Sequence, residues 1–526
     1  MVEKLSKKRI NELLSARFES DICTKLSTIP HPSCLKDIDK ATKKIKKIVD
    51  SGATIGIVGD YDVDGIVSLL ILSEFFDHLN IPYISKIPNR FKDGYGLNEE
   101  IIKGLNVPLI ITVDNGISAH DAASYCKENG ICLIITDHHT PPETLPEAYA
   151  IINPKQDSCD FPFSEICGAQ VAWYLVAALK QEFDTEYNMA KSLDLLAIAI
   201  MADMMDLLDM NRAMVKSGIN YLNNSKRAAF KVIKEFFKKD SFESDDISFL
   251  IAPLLNSSGR MDDAMLSYRF LKSKTENEAL ELLDEIVHFN TLRKEEEQKL
   301  FEKSENEIKE SDKAIVVWGE DWHEGVIGIV ASRLARKYNR PSFVFSIEDG
   351  VAKGSARGIG DIDILNLLVK SSDFLKSYGG HTGAAGMRLD SKDLPAFKNR
   401  LNSICNLNVD EDFLDSELLG EIDPEIIDFE LLELLEYYEP YGQKNPKPSF
   451  LIKSAIVKIN RVIGREKNHL KLILETKTKT LESVYFNFDK EVENGEKIDI
   501  IFTVVKNSYR GLVTPQLHIK QILSYK

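Results

Sequence analysis

Three short stretches of this 526-residue chain gather groups that handle metals and phosphate. In the first, Gly59-Asp60-Tyr61-Asp62-Val63-Asp64-Gly65, three carboxylates fall within seven residues directly after the apolar run TIGIV. Like charges this close repel, and burying them is costly unless a cation answers them. Asp62 and Asp64 share a face if the segment stays extended, with a turn swinging Asp60 toward them. The second stretch is Asp114 in TVDNG and the third is Asp137-His138-His139 in TDHH, each again ending an apolar run. Asp203 follows the apolar stretch AIAIMA. Carboxylate oxygens with a few imidazole nitrogens and no thiolate suit Mn²⁺ or Mg²⁺ better than a structural zinc site. The number of carboxylates points to two ions sharing a bridging ligand. Two such ions about 3.5–4 Å apart activate water and stabilise both oxygens in phosphoester hydrolysis. Taken singly, each stretch is an acidic turn, or a helix cap beside surface histidines. Three of them at successive strand ends are hard to explain that way.

The elements that must position these groups are legible. ATIGIVGD, VPLIITVDNG and ICLIITDHH read as strands, alternating with helices over DGIVSLLILSEFFDHL and SAHDAASYCKENG. Strand-helix-strand alternation predicts a parallel α/β sheet, in which ligands bind beyond the carboxyl ends of the strands. Residues 165–245 read as mostly helical. The segment from Ala264 to Ser311 has no Pro or Gly and reads as one long connecting helix. A second α/β pattern starts at DKAIVVWG. Beyond Pro440, FLIKSAIVKI, HLKLILET, LESVYFNF, KIDIIFTVV and PQLHIKQI read as five strands, the length and number of a small OB-type barrel.

Composition bounds the alternatives. The net charge of −16 argues against a protein coated in basic charge. The balance is local, however: Tyr441–Lys526 carries sixteen Lys and Arg against eight Asp and Glu, whereas Asn406–Pro440 carries thirteen acids and no Lys or Arg. The seven cysteines are scattered without a C-x-x-C pair, so neither a disulfide framework nor a zinc ribbon is expected. No run approaches a membrane span, and MVEKLSKKRINELLSARF lacks the apolar core of a signal peptide. A cytoplasmic protein without membrane partners is expected.

Further along, several residues suit a substrate grip. Arg260 in NSSGRMDD either reaches a phosphate or pairs with Asp262 or Asp263. Ser355 and Arg357 in KGSARGIGDID either clamp a strand through hydroxyl and guanidinium bonds or form a polar turn. GGHTGAAG packs four glycines around His381, allowing close approach of backbone to a ligand. His323 in DWHEGVIG reads as a histidine that packs or that supports a site residue from behind. Lys467, Lys471, Lys506 and Arg510, beside His469 and Tyr509, fit a groove that tracks a nucleic-acid backbone while rings stack on bases. The alternative is a basic barrel that docks on protein.

GDYDVDG, TVDNG, TDHH and the later Asp203 match, in order, the four motifs of the DHH phosphoesterase family. WHEGVIGIVASRLARKYNRP, KGSARGI and YGGHTGAAGM resemble its DHHA1 companion domain. APLLNSSGRMDDA and EPYGQKNPKPSF resemble signatures of the family's single-strand-specific 5′→3′ exonucleases. The resemblance implies manganese ligands at Asp62, Asp64, Asp114, His138, His139 and Asp203, with Asp60 as ligand or supporting partner. It implies that Asp137 orients a ligating histidine, and that Arg260, Ser355, Arg357 and His381 hold the terminal nucleotide. Some members carry a histidine four positions before Asp62, where this chain has Val58, which leaves the first metal's full ligand set open.

The expected fold is a parallel-sheet DHH domain (46–263) joined by a long helix (264–311) to a smaller α/β DHHA1 domain (312–425). A C-terminal OB-type β-barrel (426–526) and an N-terminal helical segment (1–45) complete it. The implied activity is two-metal hydrolysis of single-stranded DNA from its 5′ end, using Mn²⁺ or Mg²⁺, in DNA repair and recombination. A helicase and a single-strand-binding protein are the implied partners. Two rivals are a phosphodiesterase for short RNA or cyclic dinucleotides, which needs no basic barrel, and a non-catalytic replication scaffold, which would be free to lose ligands.

Overall fold

The computed structural model describes residues 4–94, 96–405, 417–464, 467–488, 490–509 and 512–523. Its first sheet has five parallel strands: β1 (Ile55–Gly59), β2 (Tyr83–Lys86), β3 (Leu109–Val113), β4 (Cys132–Thr136) and β5 (Ala150–Ile152). They lie in the order β2-β1-β3-β4-β5. β1 and β3 are buried at every residue because helices cover both faces. Leu109, Ile111 and Val113 enter one core with the helices Val63–Leu79 and Gly168–Glu182. Ile110 enters the other, with Glu99–Leu105 and His120–Glu128. The chain leaves β1 toward β2 and then returns to β3 on the opposite side, which makes the β1/β3 end the switch-point crevice of the sheet.

Register decides what meets there. Gly59 pairs with Val113, and Val113 with Thr136. The residues that follow these strand ends, Asp60, Asp114 and Asp137, therefore leave the sheet side by side. The helix Val63–Leu79 is almost wholly buried, as its apolar sequence requires, and packs on Gly168–Glu182.

The expected single connecting helix is broken. One helix covers Met265–Lys272 and the long one covers Glu276–Glu305, starting where Thr275 accepts a bond from the Glu278 amide. Thr275-x-x-Glu278 is a helix-start signature, and it overrides the unbroken periodicity across the gap. The thirty-residue helix spans about 45 Å. It reaches a second sheet of order β6-β7-β8-β10-β9: β6 (Ile315–Glu320), β7 (Ser342–Glu348), β8 (Val351–Arg357), β9 (Leu375–Gly380) and β10 (Ala384–Asp390). Only β6 and β7 are parallel.

The five strands expected beyond Pro440 form a closed barrel. β12 (Ser449–Ile463), β13 (His469–Glu475), β14 (Thr480–Tyr485), β15 (Lys497–Tyr509) and β16 (Leu512–Leu523) run in the order β12-β13-β14-β16-β15, and β15 closes back on β12. A short β11 (Leu418–Glu421) adds to β12 in parallel. The N-terminal segment bridges two cores. Ile10 and Leu14 of the helix Lys7–Ser15 pack into the barrel core, whereas Cys23, Leu35 and Ile38 join the core of the first domain. No helix among the described residues is long and apolar enough to cross a membrane.

Candidate functional site

The strand ends deliver their side chains to one buried pocket. Asp62 sits at the start of the helix Val63–Leu79, where its Oδ1 accepts the Gly65 amide at 3.1 Å. Asp64 lies in that helix's first turn, so the two are set by a helix start and not by the extended segment expected from their spacing. The Asp64 carboxylate meets the N-terminus of the helix Gly168–Glu182, with Gly168 N donating to Oδ2 at 2.6 Å and Ala169 N to Oδ1 at 2.8 Å. Asp114 adopts a left-handed backbone (φ 62°) and donates its amide to Thr136 O at 2.9 Å. Beside it, Asn115 Nδ2 stitches the β1 and β3 ends through Val58 O and Val113 O. Position 168 must be glycine, because a Cβ there would come within 2.4 Å of Asp114 Oδ1.

His138 Nε2 stands 3.3 Å from Asp114 Oδ1, 3.6 Å from Asp203 Oδ2 and 3.8 Å from Asp64 Oδ2. Asp203 reaches this point as the residue capping the end of the helix Leu193–Ala202. Among the described residues, three groups have ligand atoms within 4.8 Å of one another: Asp60, Asp62 and Asp114; Asp64, His138 and Asp203; and Asp114, His138 and His139. Asp114 belongs to two of them, and so does His138. Asp60 therefore stands with the ligand candidates, and Val58 is a buried residue of β1.

The supporting bonds run through Asp137. Its Oδ1 accepts the His138 amide at 2.7 Å and the His139 amide at 3.1 Å, and lies 2.7 Å from His139 Nδ1; its Oδ2 takes the Ile117 amide at 2.9 Å. With Nδ1 committed, His139 presents Nε2 to the pocket.

Electrostatics point the same way. Burial, then the charge of Asp62, pushes Asp64 up to about 7. Burial and Asp64 push Asp203 up to about 7 as well. Asp114 rises well above the carboxylate range for the same two reasons. Burial lowers His138, which favours the neutral ring a metal requires. Burial also opposes charge on His139, but the Asp137 bond outweighs it and raises that ring to about 9. Asp114 Oδ1, Asp203 Oδ2 and His138 Nδ1 are buried without a hydrogen-bond partner. Crowded carboxylates with unmet oxygens are a donor set that divalent cations fit.

A cleft of about 1100 Å³ is lined by Asp62, His139 and Arg260 of the first domain and by Ser355, Arg357 and His381 of the second. Arg260 Nη1 donates to Gly325 O at 3.2 Å and does not form the ion pair with Asp262 or Asp263 that was its alternative. Arg357 Nη1 donates to Ser355 Oγ at 3.2 Å and Ala356 O at 2.8 Å. Burial and Arg90 depress both guanidinium groups, Arg260 to about 10. His381 lies in the turn between β9 and β10. His323 is a helix cap, its Nδ1 accepting the Gly325 amide at 3.1 Å. Sequence reasoning missed Arg90, which lines the cleft over the Tyr61 ring at 4.6 Å and donates to Tyr61 Oη at 3.1 Å. Its only sequence signal was an arginine a few residues before Gly94-Tyr95-Gly96.

The barrel is less open than its net charge suggested. Lys471 pairs with Glu482, and Lys506 with Glu436, each at 3.1 Å. Lys467 is exposed between β12 and β13. His469 Nδ1 accepts the Asn487 amide at 3.0 Å. Arg510 and the Tyr509 side chain lie outside the described residues. The ring that the sequence did not single out is Phe486, 47% exposed, with His469 and His518 each edge-on at 5.1 Å.

Comparison with known proteins agrees with this architecture. Residues 54–200 match the DHH family N-terminal domain, 311–407 the DHHA1 domain and 420–521 the RecJ OB domain. The chain is 33% identical to the single-stranded-DNA-specific exonuclease RecJ of Salmonella typhimurium, over 93% of this chain and 90% of that protein. The chain belongs to the RecJ family. Its identity to the Bacillus subtilis RecJ is 36% over 94% of this chain, which spans 64% of that longer relative. The crystal structure of RecJ in complex with Mn²⁺ from Thermus thermophilus superposes with a TM-score of 0.83 at 27% identity, covering 98% of this chain and 75% of that one.

Proposed function

We propose that the protein is a single-strand-specific 5′→3′ exonuclease that releases 5′-mononucleotides and acts in DNA repair and recombination. One observation carries the reading: a buried carboxylate–imidazole pocket with unmet oxygens faces a cationic wall across a single cleft. The RecJ relatives named above, described as single-stranded-DNA-specific exonucleases, support the substrate. Asp60, Asp62, Asp64, Asp114, His138, His139 and Asp203 would hold two divalent ions, Mn²⁺ by preference and Mg²⁺ as a substitute. When bound, such ions supply the charge that makes water nucleophilic at neutral pH and polarises the scissile phosphate.

The chain's own groups do the rest. Asp64 is pinned by two amides and Asp137 fixes the tautomer of His139, so neither reorganises when phosphate arrives. Arg260, Ser355, Arg357 and His381 hold the 5′-phosphate of the terminal nucleotide through charge-assisted bonds. Water adds to the next phosphorus and the P–O3′ bond breaks. The terminal nucleotide departs as a 5′-mononucleotide, its 3′ oxygen taking a proton, and the shortened strand keeps a 5′-phosphate. The RecJ relatives are described as specific for single-stranded DNA, so a helicase that opens duplex and a protein that keeps it open are the partners this reading calls for.

The test is to incubate the protein and Mn²⁺ with a long single strand, its duplex and a dinucleotide. A 5′ label should appear at once in mononucleotide, a 3′ label should remain in progressively shorter strands, and duplex should be spared. Cleavage confined to the dinucleotide would instead identify a phosphodiesterase of short substrates.

A further inference from the structure

The signature EPYGQKNPKPSF lies at the entrance to the barrel, far in sequence from every candidate ligand. In the fold it sits on the loop that carries Asp203. That loop, Asp203 to Asp209, has two non-glycine residues in the left-handed region, Met204 (φ 54°) and Asp209 (φ 46°). Such backbone persists only where surrounding structure over-determines it. Three clamps do so here. Asp209 Oδ1 accepts the amides of Ile22 (2.7 Å) and Cys23 (3.1 Å) from the N-terminal segment. Asn211 Nδ2 donates to Asp206 O at 3.0 Å. Leu207 N donates to Gln443 O at 2.9 Å, a bond that crosses from the ligand loop to the barrel segment.

The third clamp is closely fitted. Gly442 and Asn445 exchange backbone bonds of 2.9 and 3.2 Å, closing a tight turn. The buried Asn445 side chain holds it from within, donating to Tyr438 O and Pro440 O and accepting from Arg17 Nη1. A Cβ on Gly442 would stand 2.8 Å from Cδ1 of the buried Leu207 and 3.6 Å from Cε of Met201, two residues before Asp203. The barrel thus meets the loop without slack, four residues from the Asp203 carboxylate.

We infer that the Gly442–Gln443 turn of the barrel positions the Asp203 loop, so that the seating of the barrel sets how tightly the catalytic centre holds its metal. This makes Gly442 and Gln443 positioning residues, acting through Leu207, and gives the motif a role apart from nucleic-acid contact. The inference rests on Asp203 being a metal ligand, and its test is arranged to separate the two ideas.

Metal-stripped full-length protein is titrated with Mn²⁺ by calorimetry, comparing wild type, Gly442→Ala, Leu207→Ala/Gly442→Ala and Asp203→Asn. Gly442→Ala should weaken Mn²⁺ binding about three- to tenfold, below the 10–100-fold typical of direct outer-shell partners. Its exonuclease rate at saturating Mn²⁺ should stay close to wild type. Leu207→Ala/Gly442→Ala, which returns the missing space, should recover most of the affinity. Unchanged affinity in Gly442→Ala, alongside loss of an ion in Asp203→Asn, would overturn the inference alone. Wild-type binding in Asp203→Asn would overturn the metal-centre reading itself. Should Gly442→Ala fail to fold, hydrogen exchange on the native chain decides: Mn²⁺ should slow exchange of the Leu207 amide, because linkage is reciprocal. Equal exchange with and without metal would refute the coupling.

Discussion

The carboxylate–imidazole pocket and the barrel surface use charge in opposite ways. In the pocket, Asp114 and Asp203 each keep a buried oxygen without a partner, and neighbouring carboxylates drive one another's proton affinity upward. On the barrel, lysines are exposed and already answered by carboxylates: Lys453 by Glu421, Lys458 by Glu475, Lys471 by Glu482 and Lys506 by Glu436. Unmet buried charge is costly and persists where a ligand repays it, whereas paired exposed charge contributes little to anything. The contrast teaches that net charge is a poor guide to where a chain does its work. The acidic pocket suits an anionic substrate only if cations intervene, while the basic barrel pairs several of its lysines with its own carboxylates.

Removing one pocket oxygen breaks the comparison hardest. Asp114→Asn keeps the left-handed backbone that Asn tolerates and nearly the same volume, so the fold should survive. Hydrolysis should fall by at least the ~10²–10³-fold lost with a single oxyanion donor, while circular dichroism stays unchanged. A variant within threefold of wild type would remove Asp114 from the centre. On the facing wall, Arg357→Ala deletes a charge-assisted bond worth about 1.5–3 kcal/mol, hence roughly ten- to a hundredfold in kcat/KM on 5′-phosphorylated strands. A 5′-hydroxyl substrate should show much less difference between the two proteins, and an equal loss on both would argue against a phosphate contact.

How much of this was readable beforehand depended on whether the cause was local. The ends of β1, β3 and β4 announced themselves because an apolar run followed by Asp needs only its own neighbours to be interpreted. β2 and β5 went unread: YISK and AII are too short to show a period, and neighbouring strands define them. Asp62 and Asp64 do reach the pocket, but from a helix start and not from the extended segment expected, although Asp62 with the Gly65 amide is an ordinary helix start. Arg90 was invisible, since its role comes from Tyr61 nearly thirty residues away. The pairing of the barrel lysines was equally hidden, because the carboxylates they meet lie on other elements, Glu482 on β14 and Glu436 on the helix Phe429–Tyr437.

Phe486 sharpens the barrel side of the comparison. An exposed ring beside two histidines is of the kind that stacks on bases, and stacking contributes roughly 1–3 kcal/mol per base. Phe486→Ala should weaken binding of a long single strand by about tenfold in a titration without divalent metal, and leave hydrolysis of a dinucleotide untouched. Equal binding would assign the ring to packing.

The pocket side is sharpened by pH. Asp64 and Asp203 move from the ordinary 3.8 to about 7. The metal-free fold therefore binds more protons than the unfolded chain between roughly pH 4 and 7, and loses stability as pH rises through that window. Metal reverses the sign, since it requires the ionised carboxylates and neutral His139. The rise in melting temperature on adding Mn²⁺ should be a few degrees larger at pH 8 than at pH 5.5, read by differential scanning fluorimetry. A shift that is equal at both pH values would mean the ions bind elsewhere.

The smallest effect belongs to the paired lysines. Lys471 and Lys506 each gain a carboxylate neighbour at 3.1 Å on a half-exposed surface. Such pairs are worth about 0–1 kcal/mol, and a lysine held by Glu neutralises a phosphate less fully than a bare one. Lys471→Ala and Lys506→Ala should each change single-strand affinity by less than about threefold at physiological salt. Glu482→Gln and Glu436→Gln, which free the same lysines, should strengthen binding and steepen its salt dependence. A large loss in the alanine variants would show that DNA outcompetes the carboxylates and that the barrel's positive charge is in use after all.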